Sequence, residues 1–278
     1  MAFGILAIFV KWAYQDGAGE IPLLALRFVL AALLLVSFHL VSGRSLRVLR
    51  AQMVRLLLLG GVGYAFEASL FFLALDRAPA GIVTLVFYSF PLWTAILTTT
   101  FGLDKFRLRL AIALALGAAG VISILSISGG SLEGALLALG SSLAVAVYFL
   151  FAQILIKDVD PSVSATWTCI GAALSLGAIT PFFDRLVPAP ALLDALGLGV
   201  ATAIAFGLLY AAIARIGSAR TSVAAMVEPV TTVILAAVFL GERITWRVAL
   251  GAALVLSALP VLASAGRRDD GLPPPDSV

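Results

Sequence analysis

Four ionisable side chains stand inside long apolar stretches of this sequence, where a charge is costly and therefore informative. Glu67 and Glu228 supply carboxyl groups, and Lys11 and Arg27 supply basic groups. A charge in hydrocarbon costs about 3 kcal/mol on insertion scales, so such residues commonly mark substrate or ion pathways. Either carboxyl group could bind a substrate amine or carry a proton, and either could instead be a structural group that is hydrogen-bonded between helices.

Glu67 also raises the question of charge pairing, because Lys11 and Arg27 are the basic residues inside predicted membrane spans. A charge pair among these three residues is the least costly arrangement in hydrocarbon. The alternative is that the two basic side chains extend to the membrane surface. We expect Lys11 to face the helix bundle, and both possibilities stay open for Arg27.

Aromatic and amide side chains at mid-span could complete a substrate-binding cavity with these charges. Aromatic rings hold ligands by stacking or by cation–π contact, although each ring could instead pack against helices or lipid. The predicted cavity residues are Lys11, Tyr64, Glu67, Tyr88, Pro91, Trp93, Tyr148, Gln153, Trp167 and Glu228.

Two prolines, Pro91 and Pro229, fall near the middle of two predicted spans. Inside a helix, proline removes the hydrogen bond to the carbonyl four residues earlier, here Phe87 and Ala225. A freed carbonyl at membrane depth must find another partner or face a cavity. The pattern predicts a pair of hinges at the substrate site, and the alternative is two packing kinks that neighbouring helices compensate.

The chain that positions these side chains has the composition of a membrane protein. It is 62% hydrophobic and 12% charged, whereas soluble domains are about 45–50% apolar and about 25% charged. Apolar runs of roughly 20 residues, the length that spans a bilayer, recur along the sequence. We therefore predict an all-α integral membrane protein with ten transmembrane helices, near 1–15, 21–42, 54–75, 79–101, 108–127, 133–156, 161–182, 190–213, 219–240 and 245–264.

The basic residues predict the orientation of these spans. On this layout twelve of the eighteen Lys and Arg residues lie on one side and four on the other. Because cytoplasmic loops are enriched in Lys and Arg, both termini are predicted to be cytoplasmic. His39, near the cytoplasmic end of the second span, is expected to lie at the membrane interface.

An internal repeat relates the two halves at a constant separation of 138 residues. The matched pairs are Arg77 and Arg215, Pro91 and Pro229, Asp104 and Glu242, Lys105 and Arg243, and Arg109 and Arg247. Because five spans separate equivalent helices, the halves must run in opposite directions, as in transporters with inverted repeats around a central cavity. We predict five-helix repeats at 1–127 and 128–265, followed by a disordered cytoplasmic tail at 266–278.

The second repeat resembles the drug/metabolite transporter superfamily, EamA type, and the likeness extends over nearly the whole chain. The residues that carry it are Met226-Val-Glu-Pro229 with Leu240-Gly-Glu-Arg243, Ala74 to Gly81 with Ser89-Phe-Pro91, Lys11, Pro22 to Arg27, and Glu133-Gly134. The resemblance implies ten helices around a central cavity and export of amino acids or comparable metabolites. Among known members, exporters of aromatic and neutral amino acids are the nearest.

The expected function is therefore secondary export of a small organic metabolite across the bacterial inner membrane by alternating access. A flippase for a lipid-linked carrier is the alternative, and a non-transporting membrane subunit is another. An enzyme is disfavoured, because the chain has one His and one Cys and no nucleotide-binding loop. We expect no cofactor, metal or nucleic acid, and as partners a small-molecule substrate and the lipid bilayer, in a monomer or homodimer.

Overall fold

Helices make up the structure, a computed structural model that describes residues 4–101, 132–183, 185–225 and 228–241 with isolated positions at 112–116 and 246–260. No β-strand occurs in these residues, so the all-α prediction is confirmed for them. The α-helices are α1 (Leu6–Gln15), α2 (Glu20–Val41), α3 (Arg50–Leu58), α4 (Ala65–Arg77), α5 (Ala80–Phe87), α6 (Phe90–Thr100), α7 (Leu132–Leu155), α8 (Pro161–Ile179), α9 (Leu192–Ala224) and α10 (Glu228–Phe239). A π-helical segment (Leu59–Tyr64) joins α3 to α4, and 3₁₀ turns occur at Thr180–Phe182 and Ala189–Ala191.

Five helical segments are long and apolar enough to cross a membrane. They are Glu20–Val41, Arg50–Arg77, Leu132–Leu155, Pro161–Phe182 and Ala189–Ser218. Large apolar side chains such as Leu33, Leu174 and Leu208 are exposed in the middle of these segments, where a bilayer would cover them. The predicted spans at 108–127 and 245–264 and the tail at 266–278 lie largely or wholly outside the described residues.

The 138-residue separation seen in the sequence recurs in the ends of the helices. α2 ends at Val41 and α8 ends at Ile179, and α6 begins at Phe90 and α10 at Glu228. Ala80, the first residue of α5, has its counterpart in Ser218, which follows a break in α9 at Gly217. Gly217 has φ 79°, a left-handed conformation that glycine adopts without a steric penalty.

Each proline lies in the first turn of a helix rather than in the middle of a continuous span. The predicted span at 79–101 is divided into α5 and α6 at Tyr88 and Ser89, and Pro91 is the second residue of α6. Pro229 is likewise the second residue of α10. A proline in the first turn costs no intrahelical hydrogen bond, since the first amides of a helix have no partner there. The prolines therefore begin half-helices at mid-span.

The π-helical segment packs directly on α8 through glycines, which allow the two backbones to approach. A Cβ atom at Gly60 would lie 1.9 Å from the Thr168 carbonyl oxygen, and one at Gly171 would lie 2.2 Å from the Leu57 carbonyl oxygen. Small residues of this kind permit close helix contacts in membranes, where tight packing replaces the hydrophobic driving force. This contact holds the π-helical segment that carries Tyr64 and that leads directly into α4, which carries Glu67.

We expect Gly171→Ala to destabilise the protein by about 1–3 kcal/mol, the usual cost of overpacking. Its methyl group would collide with backbone, which cannot rotate away. The matched control is Gly177→Ala on the same helix, where a Cβ would meet nothing within 4 Å. Thermal unfolding of both purified variants measures the difference, and equal midpoints would contradict the close contact.

Candidate functional site

The central cavity lies between α1, α2, α4, α5, α6, α7, α9 and α10, beside the break that precedes α6 and the first turn of α10. Its volume is about 80 Å³, which exceeds several-fold the roughly 10–15 Å³ that one water molecule requires. It is lined by Leu6, Ala7, Arg27, Tyr64, Glu67, Ala68, Phe71, Thr84, Phe87, Tyr88, Phe90, Val145, Phe149, Leu209, Ala225, Glu228 and Thr232. The lining therefore combines one basic and two acidic side chains with hydroxyl groups and aromatic rings.

Glu228 enters the cavity from the first turn of α10. Tyr88, at the break between α5 and α6, donates its hydroxyl to the Glu228 carboxylate, so one break faces the other. Only 5% of Glu228 is exposed. The N-terminal end of a helix stabilises a negative charge, and the position in the first turn therefore favours a carboxylate in an otherwise apolar setting.

Arg27 enters the cavity from α2 and is held in one orientation. Its Nε donates to Thr202 Oγ1 at 2.6 Å, and its guanidinium lies 5.0 Å from the Phe28 ring centre and 5.4 Å from that of Phe72. With 3% of the residue exposed, Arg27 does not extend to the membrane surface. That alternative is wrong, and the cation belongs to the interior of the bundle.

Glu67 lies on the same cavity and is only partly satisfied. Ser141 Oγ donates to Glu67 Oε1 at 3.0 Å, but Oε2 is buried and has no hydrogen-bond partner among the described residues. Arg27 and Glu67 form no ion pair within 4.0 Å. Thr84 Oγ1 is also buried and unpartnered in the described part of the chain. Buried polar atoms normally have partners, so these two can accept or donate to a ligand.

Aromatic rings form the remaining wall of the cavity. Phe90 lies 5.5 Å from Phe87 and 5.3 Å from Phe149, measured between ring centres. Tyr64 contacts Tyr148 edge-on at 5.0 Å, which places Tyr148 directly behind the lining. The Tyr148 hydroxyl is 2.7 Å from that of Tyr210. This wall can hold the apolar part of a ligand while the charges orient its polar end.

The structure brings together some of the predicted site residues and separates others. Tyr64, Glu67, Tyr88 and Glu228 line the cavity, whereas Lys11, Pro91, Trp93, Gln153 and Trp167 do not. Lys11 Nζ donates to the Ala78 carbonyl at 2.8 Å, at the end of α4. The roles of all the predicted site residues in transport stay predictions.

Two of the predicted residues, Gln153 and Trp167, form hydrogen bonds with backbone groups outside the cavity instead. Gln153 Oε1 accepts from the Ser218 amide at 2.8 Å and so caps the chain after the break at Gly217. Trp167 Nε1 donates to the Leu46 carbonyl at 3.1 Å. The indole Nε1 of half-buried Trp93 is itself buried and has no partner among the described residues.

Sequence reasoning missed several lining residues, above all Thr84, Thr232 and the phenylalanines. The one hydroxyl proton of Thr232 is shared between the Gly4 carbonyl at 3.0 Å and the Glu228 carbonyl at 3.1 Å. Its match with Thr94 in the repeat was a signal that could have drawn attention to it. No comparable signal marked the phenylalanines, which are common in any apolar span. In the described residues no three His, Cys, Asp or Glu side chains cluster as metal ligands.

Comparison with known proteins gives consistent results. The EamA-like transporter family matches residues 1–126 and again residues 132–263. The threonine/homoserine exporter RhtA of Salmonella typhimurium, in strains SL1344 and LT2, is 29% identical over 235 residues, which covers 80% of this chain and 74% of the exporter. A crystal structure of a protein with 21% identity superposes with a TM-score of 0.72 over 96% of this chain and 95% of the other, so the two share a fold.

Proposed function

Since this chain belongs to the EamA-like transporter family, we propose that it is a membrane transporter that exports small neutral amino acids. The observation that carries the proposal is one cavity in which Arg27 and two carboxyl groups are presented to the same small volume. A zwitterion fits that arrangement, because its carboxylate pairs with a guanidinium and its ammonium with a carboxylate. The name of the RhtA relatives supports threonine and homoserine as the first candidates.

The size of the cavity distinguishes among amino acids. The volume of about 80 Å³ is small beside the roughly 300–1,000 Å³ of ordinary ligand pockets, so we propose the small neutral amino acids rather than the aromatic ones as substrates. Thr84, whose hydroxyl has no partner among the described residues, can hydrogen-bond to such a side chain. Aromatic residues of the wall pack against its methylene groups.

The transport cycle we propose is alternating access between the repeats at 1–127 and 128–265, with the half-helices that begin at Pro91 and Pro229 as hinges. The coincidence of helix ends at a separation of 138 residues supports this proposal. We propose further that the protein lies in the bacterial inner membrane with both termini in the cytoplasm. To test the topology, single cysteines are introduced at Arg44 and at Arg185 in a Cys169→Ser background. A membrane-impermeant thiol reagent should label the two positions from opposite sides of oriented vesicles, and labelling of both from the same side would contradict this topology.

Efflux from proteoliposomes tests the proposed substrate class. Vesicles containing the full chain are loaded in turn with labelled threonine, homoserine, methionine and phenylalanine, and empty liposomes give the background. We expect saturable efflux of threonine and homoserine, slower efflux of phenylalanine, and a reduced rate for Pro229→Ala, which relaxes the proposed hinge. Efflux at the background rate for all four amino acids would contradict the proposal.

A further inference from the structure

A second cleft lies at the end of the bundle that is predicted to be cytoplasmic. It has a volume of about 630 Å³ between the C-terminal end of α2, the loop at 42–49 and α8. His39, Arg44, Arg47 and Trp167 are among the residues that line it. None of these residues lines the central cavity, and the cleft is therefore a separate site.

His39 is the residue that most requires a ligand here. The sequence suggested an interfacial position, yet the side chain is 1% exposed, and neither ring nitrogen has a hydrogen-bond partner among the described residues. A neutral imidazole carries one N–H donor and one acceptor. Because buried polar atoms are normally satisfied, the imidazole needs a partner from the cleft that it lines.

Two arginines supply positive charge beside this imidazole. Arg44 lies 5.7 Å from the centre of the Phe38 ring, and Arg47 follows three residues later on the same loop. The hydrogen bond from Trp167 to the Leu46 carbonyl holds that loop against α8, and both arginines line the cleft beside it. Asp160 is close enough to Arg44 for the two charges to interact, but it does not line the cleft.

We propose that this cleft binds the phosphate of an anionic phospholipid headgroup through Arg44, Arg47 and His39. Guanidinium groups bind phosphate oxygens with paired hydrogen bonds, and basic pockets on the cytoplasmic side attract anionic lipids. Leu40, Val41 and Leu49 beside the cleft are 75%, 89% and 71% exposed. Acyl chains would cover these apolar side chains, which a soluble phosphate could not do. The site is independent of what the central cavity transports.

The test uses purified full-length protein titrated with dioctanoyl phosphatidylglycerol, with lipid binding followed by native mass spectrometry. Arg44→Gln with Arg47→Gln removes two charges from the cleft. Arg50→Gln with Arg55→Gln is the matched control, because it removes two exposed charges from the same end of the molecule, outside the lining. Both pairs are exposed, so both variants should fold.

We expect the first double variant to bind phosphatidylglycerol about 25-fold more weakly, at roughly fivefold per arginine, and the control variant to bind like the wild type. Dioctanoyl phosphatidylcholine, which has no net charge, should bind the wild type more weakly than phosphatidylglycerol. Equal weakening by both double variants would overturn the proposal, since general surface charge would explain it. So would equal affinity for the two lipids, or displacement of phosphatidylglycerol by inorganic phosphate at the same concentration.

Discussion

Arg27→Gln should lower threonine efflux from proteoliposomes on the order of 100-fold, the scale of removing one partner of a buried charge pair. Arg27 is the cation of the central cavity, and the contacts with Thr202, Phe28 and Phe72 fix its guanidinium before any substrate arrives. Glutamine keeps a hydrogen bond to Thr202 within reach but supplies no charge for a substrate carboxylate. Arg27→Lys, which keeps the charge without the planar geometry, should restore part of the rate.

A substrate analogue separates this role from a structural one. Threoninol has the ammonium and hydroxyl groups of threonine but no carboxylate. The Arg27→Gln variant should therefore export threoninol at the same rate as the wild type does. Arg77→Gln is the control: Arg77 pairs with Glu133 at 2.8 Å in a partly exposed position outside the cavity, and such pairs contribute little. Equal losses for threonine and threoninol in Arg27→Gln would mean that the residue supports the fold and does not bind carboxylate.

The helical segments of this protein could be predicted from sequence because the length of an apolar run is a physical requirement of the bilayer. The predicted spans at 21–42, 133–156 and 161–182 agree with α2, α7 and α8 to within a few residues. The depth of Glu67 and Glu228 followed from the same runs, and both line the cavity. Apolar runs of this kind determine how deep each residue lies in the membrane.

The rotation of each helix could not be predicted, because a span that is apolar on all sides carries little periodic signal. Trp93, Gln153 and Trp167 were predicted to be cavity residues from the same apolar runs, yet none of them lines the cavity. The choice for Arg27 between the bundle and the membrane surface depended on Thr202, which is 175 residues away in the sequence. Tertiary contacts of this kind decide which polar side chains share a site.

Glu228→Gln should lower threonine efflux roughly 30-fold, the scale of a hydrogen bond to a charged group. The amide keeps the shape of the side chain and can still accept from Tyr88, but it has no charge for the substrate ammonium. Tyr88→Phe is the matched variant, since it removes the hydroxyl and leaves the carboxylate in place. We expect a smaller loss for it, about fivefold.

The complementary analogue is 2,3-dihydroxybutanoate, which keeps the carboxylate of threonine and replaces its ammonium with a hydroxyl group. If Glu228 binds the ammonium, Glu228→Gln should spare efflux of this analogue, whereas Arg27→Gln should abolish it. Losses of the same size for both substrates in Glu228→Gln would show that the carboxylate only braces Tyr88 and α10. An unchanged threonine rate would instead leave Glu67, whose Oε2 has no hydrogen-bond partner among the described residues, as the carboxyl group that meets the ammonium.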